Sequence, residues 1–224
     1  RVNLDFDVKK WLTVGINTSF ASTKKIQENG AFYQFITRSP LARVKDEYGN
    51  WSTYINSNGD KNPLFNAQHA QRESKGTNWR ANAYAEIKPF NGFSYKLNFS
   101  YYNRSVEEGQ ARDSKYPGGG ATASLVDDKT IKTLIENIIQ YKVPIADKKH
   151  KLDFTAVQAI DRHRIESIGY TVQNLPADMG YNYIANGEVT EKERRYSENN
   201  LVSFMLRAQY NFADRYLLNV AYRC

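Results

Sequence analysis

The strongest constraint on this chain is an alternation of apolar and polar side chains that repeats in paired runs. Leu97 and Phe99, for example, flank Asn98. A period of two places the two kinds of side chain on opposite faces of a β-strand. The alternation predicts an all-β fold with about eight antiparallel strands in four hairpins, at residues 2–8, 12–22, 79–87, 93–102, 131–141, 151–160, 201–211 and 215–223.

The connections between these runs differ systematically in length. Within each pair the link is short, at residues 9–10, 88–92, 142–149 and 213–215. Between pairs the links are long and polar, at residues 24–78, 103–130 and 161–200. A soluble β-sandwich gives no reason for this separation, and structureless loops of such length are uncommon in compact domains. Outer-membrane barrels join their strands by tight turns on one side and by long extracellular loops on the other. The pattern therefore favours a segment of a transmembrane β-barrel.

Composition agrees with that class of fold. No run of about 18 apolar residues occurs, which excludes membrane-spanning helices. A mean hydropathy of -0.68 is compatible with a barrel whose inner face is polar. The 16 Tyr and 11 Phe suit strands and interfacial girdles, although β-propensity alone also enriches aromatic residues. The net charge of +7 is spread along the chain without a compact basic stripe, so no nucleic-acid partner is expected.

The sequence leaves two questions open: whether residues 131–141 are a strand or a helix, and whether eight strands form a whole barrel. Residues 131–141 also fit a helical stripe, but their β-branched content and the Val143-Pro144 break favour a strand. Eight strands could close a small barrel. Arg1 opens directly into a strand without a signal peptide, and the last strand has no following turn. A segment of a larger barrel is therefore expected.

Several short motifs resemble one family. The run at residues 210–218 resembles the YN-x-x-DRYLL hairpin of SusC/RagA-type TonB-dependent outer-membrane transporters. Other places similar to that family's barrel, in the same order, are Leu4-Asp5 with 11–20, Ser39-Pro40 with 46–50, Asn62-Pro63, 84–87 with 92–96, and Glu136-Asn137 with Tyr141 and His150. Together they cover nearly the whole chain.

The resemblance implies a fold and a function. Residues 1–224 would be a partial TonB-dependent receptor β-barrel domain, about a third of a barrel of roughly 22 strands, without the signal peptide, the plug and the remaining strands. Such proteins lie in the bacterial outer membrane and import a large nutrient, a glycan or a peptide. The expected partners are a SusD-like surface lipoprotein, the TonB complex acting through the plug, the substrate and outer-membrane lipid. No cofactor and no enzymatic activity are expected.

The first long link contains the candidate binding residues. Flat aromatic rings and amide or carboxylate groups can stack on and hydrogen-bond a sugar or a peptide. A self-packed loop or a surface that contacts a lid is the alternative. The candidates for contact with the substrate or the lid are Trp51, Tyr54, Asn56, Asn58 and Asp60.

Two other functions remain open. One is a structural or protein-translocating outer-membrane barrel. The other is an outer-membrane enzyme, in which His163 flanked by Asp161 and Glu166 would act as a base with an orienting carboxylate. No serine lies in a nucleophile turn and the three histidines have no metal-ligand spacing, so neither catalysis nor a metal site is predicted.

Overall fold

The computed structural model describes residues 1–26, 36–37, 41–116, 119–147 and 149–224, which leaves the Ser39-Pro40 motif outside the described residues. Eight strands form one antiparallel sheet in sequence order. The strands are β1 (Val2–Lys9), β2 (Leu12–Ile26), β3 (Ala70–Ile87), β4 (Phe93–Arg112), β5 (Thr122–Lys142), β6 (His150–Gln173), β7 (Glu188–Phe212) and β8 (Tyr216–Arg223). A short helix, α1 (Pro63–Gln68), and two 3-10 helices, Pro176–Asp178 and Tyr181–Asn186, lie in the connections. None of the described helices has the length and apolar character needed to cross a membrane.

Each strand pairs with the next, so successive connections lie at opposite ends of the sheet. The connections 10–11, 88–92, 143–149 and 213–215 lie at one end, which we call the short-turn rim. The connections 27–69, 113–121 and 174–187 lie at the other, the loop rim. The predicted antiparallel meander and the separation of short from long connections are confirmed, and residues 131–141 are strand.

The predicted strand boundaries were wrong at the loop rim. Strands β3 to β7 are 18, 20, 21, 24 and 25 residues long, and they include much of what the sequence predicts as links 24–78, 103–130 and 161–200. In these extensions polar residues occupy both faces, as in the paired segments 103–112 and 122–130. Alternation marks a strand only where its two faces meet different surroundings, so the extensions gave no period-two signal.

The cross-strand register divides the sheet into an apolar face and a polar face. Paired residues share a face, so Leu97 lies beside Ala85 and Leu206 lies beside Ala156. Phe204 is two residues from Leu206 on β7 and therefore lies on the same face. Large side chains on the apolar face stay exposed, including Phe204 at 49% and Leu206 at 63%. The face comprises Leu4, Phe6, Val14, Ile16, Ala83, Ala85, Leu97, Phe99, Ile135, Ile139, Ala156, Ile160, Phe204, Leu206, Leu218 and Val220.

Aromatic residues bound the apolar face at both ends. The upper belt is Phe20, Trp79 and Tyr101, in which the Trp79 and Tyr101 rings meet edge to face at 5.3 Å. The lower belt, at the short-turn rim, consists of Phe93, Tyr141, Phe154, Phe212 and Tyr216. From Phe93 to Tyr101 the strand rises roughly 26 Å, or about 20 Å after a tilt of about 40°. That height approaches the roughly 25 Å apolar band of an outer-membrane barrel.

A small hydrophobic core lies above the upper belt. The connection 174–187 folds back so that Leu175 and Tyr181 are 6% and 2% exposed. They pack on the same face that carries the apolar band lower down, against Ala111, Ala121, Ala123 and Val172. The loop-rim half of the sheet thus has its own packed layer, whereas the band between the belts has none among the described residues.

Candidate functional site

A chain of amides and a carboxylate crosses the polar face at the height of the band. Asn82 Nδ2 donates to Asn98 Oδ1 and to Ser100 Oγ, both at 2.8 Å. Asn98 Nδ2 in turn donates to Glu136 Oε2 at 2.9 Å. The register of β3, β4 and β5 places these side chains opposite one another. They form a hydrogen-bonding surface on the face opposite the apolar band.

Aromatic and cationic groups flank this chain. Tyr84 donates its hydroxyl to Asp5 Oδ1 at 2.7 Å across β2. Gly15 lies beneath that contact, since a Cβ there would lie 2.3 Å from both the Tyr84 ring and Asp5 Oδ1. Lys96 Nζ sits 4.2 Å from the centre of the Tyr84 ring. A glycine in a strand here allows a tyrosine to lie flat on the sheet.

An open concavity of about 760 Å³ lies over the polar face. At the edge of the concavity, Arg80 stacks on the Tyr102 ring at 5.1 Å. The lining of the concavity mixes cationic, acidic, amide and hydroxyl groups, namely Asn17, Arg80, Asn82, Tyr102, Lys132 and Asp161. Such a surface can solvate and weakly bind a polar solute along its length. None of these groups forms a nucleophile with an activating base.

The connection between β2 and β3 contains two small turns fixed by a buried asparagine. Asn62 is fully buried; its Nδ2 donates to the carbonyls of Val44 and Ser52 at 2.8 and 2.7 Å, and its Oδ1 accepts from the Leu64 amide at 3.0 Å. Asn62 is therefore also the N-cap of α1, followed by Pro63 at the first helical position. The Asn62-Pro63 motif thus has a structural role in ordering this loop.

The structure places the five candidate residues on this loop but uses several of them internally. Lys45 Nζ lies 4.7 Å from the centre of the Trp51 ring. Asn56 Nδ2 donates to Asp60 Oδ2 at 2.7 Å, and Asn56 Oδ1 accepts from the Asp60 amide. Tyr54 is 50% exposed and Asn58 is exposed at the turn. Tyr54 and Asn58 are therefore the candidates that present free surface to a ligand or lid.

A shallow depression of about 570 Å³ lies beside Tyr54. Buried Ile55 and exposed Tyr54 and Asn56 belong to its lining. Ser52 and four charged side chains of balanced sign also line it, the latter being Arg43, Lys45, Asp46 and Glu47. Sequence reasoning missed these charged residues, because they lie in an irregular turn whose geometry no periodicity reveals.

The residues of the enzyme hypothesis do not come together. Asp161 and His163 lie on the polar face of β6, whereas Glu166 lies on the opposite face, paired with Lys129 and Tyr196. The His163 Nε2 atom is buried and has no hydrogen-bond partner among the described atoms. No cluster of three His, Cys, Asp or Glu suited to a metal occurs in the described part of the chain.

A second polar cluster, which the sequence analysis did not find, holds the connection 174–187 against the sheet at the loop rim; we call this connection the cap. Glu73 pairs with Lys24 at 3.0 Å, and Lys75 Nζ lies 5.7 Å from the centre of the Tyr181 ring. Burial raises the pKa of the Tyr181 hydroxyl, and its hydrogen bond to Glu73 raises that pKa further. Gly109 makes room for the ring, since a Cβ there would lie 2.3 Å from Tyr181 Cδ2. A glycine inside a polar strand was the one available sequence signal.

Comparison with known proteins supplies relatives of the whole segment. No family model matches the chain. The chain is 25% identical to TonB-dependent receptor P3 of Formosa agariphila over 237 aligned residues, which cover 99% of the chain and 24% of that receptor. It is also 25% identical to TonB-dependent receptor P26 of the same organism, over 100% of the chain and 23% of that receptor. The chain thus spans about a quarter of the length of either relative.

Solved structures agree on the fold. The structure of the RagAB peptide transporter superposes with a TM-score of 0.81 at 17% identity, over 99% of this chain and 26% of that one. The RagAB peptide importer in its open-open state superposes with a TM-score of 0.80 at 18% identity, over 99% and 26%. The relatives are named as receptors and transporters, not as enzymes. The resemblance predicted from the sequence motifs is confirmed.

Proposed function

We propose that this chain, a segment of a TonB-dependent receptor, forms part of the wall of an outer-membrane importer. Residues 1–224 would supply eight of roughly 22 barrel strands. The remaining strands, the plug and the signal peptide would belong to other parts of the protein. On this proposal the apolar face contacts lipid, the polar face lines the lumen, and the loop rim faces the cell exterior.

The observation that carries the proposal is the division of one sheet into two chemically opposite faces. Asn82, Asn98 and Glu136 are linked across the polar face, while Leu97, Phe204 and Leu206 are exposed on the other. A soluble protein would cover so much exposed apolar surface. A lipid-facing barrel wall requires it, and the separation of the aromatic belts, about 20 Å, approaches the roughly 25 Å apolar band of such a wall.

The nutrient we propose is a large polar molecule, a glycan or a peptide, taken up with a SusD-like surface lipoprotein. The neighbouring structures are described as peptide transporters, which favours a peptide by analogy. Tyr54 and Asn58 in the β2–β3 loop offer an exposed ring and an amide at the loop rim. The same side chains could equally contact the lipoprotein. Energy would come from the TonB complex through the plug.

The alternatives have less support. A protein-translocating barrel shares the wall but needs neither TonB nor a surface lipoprotein. An enzyme would need a base such as His163 next to its carboxylates, and Glu166 lies on the opposite face of β6.

Uptake by the intact receptor tests the proposal. In a strain that lacks the gene, the full-length gene should restore uptake of a labelled oligopeptide or oligosaccharide, and removal of TonB should abolish it. Deletion of the partnering lipoprotein should reduce uptake strongly. Restored uptake without TonB would favour the translocating barrel.

Loop variants locate the contact. Tyr54→Ala and Asn58→Ala should each reduce uptake by modest factors, because many weak contacts share the binding. His163→Ala is the control and should leave uptake close to wild type. A loss beyond roughly a hundredfold on His163→Ala would instead support the enzyme.

A further inference from the structure

The two ends of the sheet carry different net charge. The charges considered at each rim are those of its connections and of the last strand residue before each connection. Among described residues, the loop rim has five basic and five acidic side chains: Arg43, Lys45, Lys61, Arg112 and Lys115 against Asp46, Glu47, Asp60, Asp113 and Asp178. The short-turn rim has six basic against two acidic: Lys9, Lys10, Lys88, Lys142, Lys149 and Arg215 against Asp147 and Asp214. Most of the chain's net charge of +7 therefore lies at one end.

The basic side chains of the short-turn rim are exposed, and few are neutralised. Lys88 pairs with Glu86 at 3.1 Å. The rim's Asp214 pairs with Lys151, a strand residue outside the rim, at 2.7 Å. No acidic side chain is recorded within 4.0 Å of the other five basic groups among the described residues, namely Lys9, Lys10, Lys142, Lys149 and Arg215. Lys142 lies on the polar face of β5, opposite Asp153, whereas Lys9, Lys10, Lys149 and Arg215 lie in or next to the turns, where they can meet an external anion.

The lower aromatic belt sets the height of these cations relative to a membrane. The Phe90 ring, 58% exposed, lies 5.1 Å from Phe93 and 6.5 Å from Tyr141. Lys9 Nζ lies 5.5 Å from the centre of the Trp11 ring, which is 43% exposed. Aromatic rings of this kind sit at the level of lipid headgroups. A lysine next to such a ring, as Lys9 is to Trp11, can therefore reach the phosphate layer with its aliphatic stem along the ring.

We propose that the short-turn rim binds the phosphate groups of anionic phospholipids in the leaflet that faces the turns. Juxtamembrane basic clusters gain affinity from each additional Lys or Arg near an anionic surface, within about a Debye length. A zwitterionic headgroup offers a phosphate already paired with its own amine. The rim would thus collect anionic lipid around the barrel and hold the short turns at the interface. The inference rests on the membrane placement in the proposed function, and it adds the lipid class and the residues.

Lipid retention by the full-length receptor tests this. The protein is reconstituted in bilayers of phosphatidylcholine with about 20% phosphatidylglycerol, extracted gently, and its retained lipids are counted by native mass spectrometry. Wild type should retain phosphatidylglycerol at about threefold or more above its bulk fraction. The quadruple variant Lys9→Gln, Lys10→Gln, Lys149→Gln and Arg215→Gln should retain it near the bulk fraction. Raised salt should lower the wild-type enrichment.

A matched variant controls for charge alone. Lys25→Gln, Lys115→Gln, Lys129→Gln and Lys192→Gln remove four exposed lysines from the loop-rim half and should keep the enrichment. Heat-modifiable electrophoresis confirms that both variants are folded barrels. A wild type without enrichment overturns the proposal. Unchanged enrichment in the rim variant does so too, and would leave an acidic protein as the ligand of the rim. A receptor that enriches anionic lipid but imports nothing would instead contradict the proposed function.

Discussion

At the residue scale, two glycines inside strands illustrate how a missing side chain organises this sheet. Gly109 accepts the Tyr181 ring, and Gly169 lies in a similar strand position with open surroundings, where the nearest atom to a new Cβ would be Val126 Cγ2 at 3.6 Å. The first contact is between packed groups and the second is an ordinary van der Waals distance. The two positions therefore form a natural pair for a test.

Replacing Gly109 by Ala should loosen the cap formed by residues 174–187. The new methyl group collides with a ring that is 2% exposed, and such overpacking costs about 1–3 kcal/mol. Hydrogen–deuterium exchange of residues 174–187 should accelerate in Gly109→Ala and stay unchanged in Gly169→Ala. Equal exchange in the two variants would mean that Tyr181 does not pack on β4.

The turn between β7 and β8 should depend on pH through Asp214. Hydrogen bonds from Lys151 and Asn211 hold the pKa of the Asp214 carboxyl below its usual value. A lowered folded-state pKa stabilises the fold at pH above the unfolded-state value of about 4, and this stabilisation is lost as pH falls through the folded-state value. Asp214→Asn keeps the left-handed backbone that Asn tolerates, here at a φ of 53°.

Urea unfolding of the reconstituted receptor measures that dependence. Wild type should be more stable than Asp214→Asn at pH 6, and the difference should shrink as the pH falls below about 4. Lys151→Gln should reproduce the loss at pH 6. A difference that stays constant as the pH falls from 6 into the acid range would assign the effect to something other than the ionised pair.

At the element scale, the pairing of β5 with β6 places two amides in the middle of the apolar band. Asn137 and Gln158 are register partners in the row of Leu97 and Phe204, midway between the belts. Tyr95 donates its hydroxyl to Asn137 Oδ1 at 2.7 Å, and Asn137 Nδ2 donates to Gln158 Oε1 at 3.2 Å. In hydrocarbon such groups must bond one another, because lipid tails offer no partner.

Leucine substitutions should therefore be strongly non-additive. Asn137→Leu alone leaves Tyr95 and Gln158 without their hydrogen-bond partner and should cost about 1–2 kcal/mol of unfolding free energy. The triple variant Asn137→Leu, Gln158→Leu and Tyr95→Phe removes every polar group that would lack a partner and should be at least as stable as wild type. Urea unfolding in lipid measures the unfolding free energies of wild type, the single variant and the triple variant. A triple variant less stable than the single one would show that these side chains do not face lipid.

The elements also show what the sequence could and could not predict. Alternation found all eight strands and put Leu97 and Phe204 on the face opposite to that of Asn98, because these residues lie where one face is apolar and the other is polar. It could not find the strand extensions above the upper belt, where polar residues occur on both faces and the buried residues are mostly small. Alternation alone predicts that Asn98→Ala is silent, whereas the bonds to Asn82 and Glu136 give that side chain a structural role. Loop contacts such as Asn56 with Asp60 depend on turn geometry that periodicity does not carry.

At the scale of the whole molecule, the sheet is an open wall with one apolar face and one polar face, which we propose contact lipid and the lumen. Leu97→Arg or Phe204→Arg should cost about 2–4 kcal/mol of unfolding free energy in a bilayer, because both lie midway between the belts. Met205→Arg, on the polar face of β7 directly next to Phe204, is the control at matched depth and should be nearly neutral. Equal costs on both faces would remove the basis for a lumen.

The most direct measurement of the membrane wall is a spin-label scan along β4 in the reconstituted full-length receptor, with Cys224 replaced by Ser. Labels at 93–112 report collisions with oxygen, which concentrates in lipid, and with a water-soluble nickel chelate. We expect a period of two between Phe93 and Tyr101, with oxygen favoured at Leu97 and Phe99 and nickel favoured at Asn98. Beyond the upper belt, oxygen should no longer be favoured on either face, and labels at 109 and 111, which lie beneath residues 174–187, should be shielded from nickel. Nickel access to both faces throughout 93–101, or no periodicity there, would contradict a lipid-facing barrel wall.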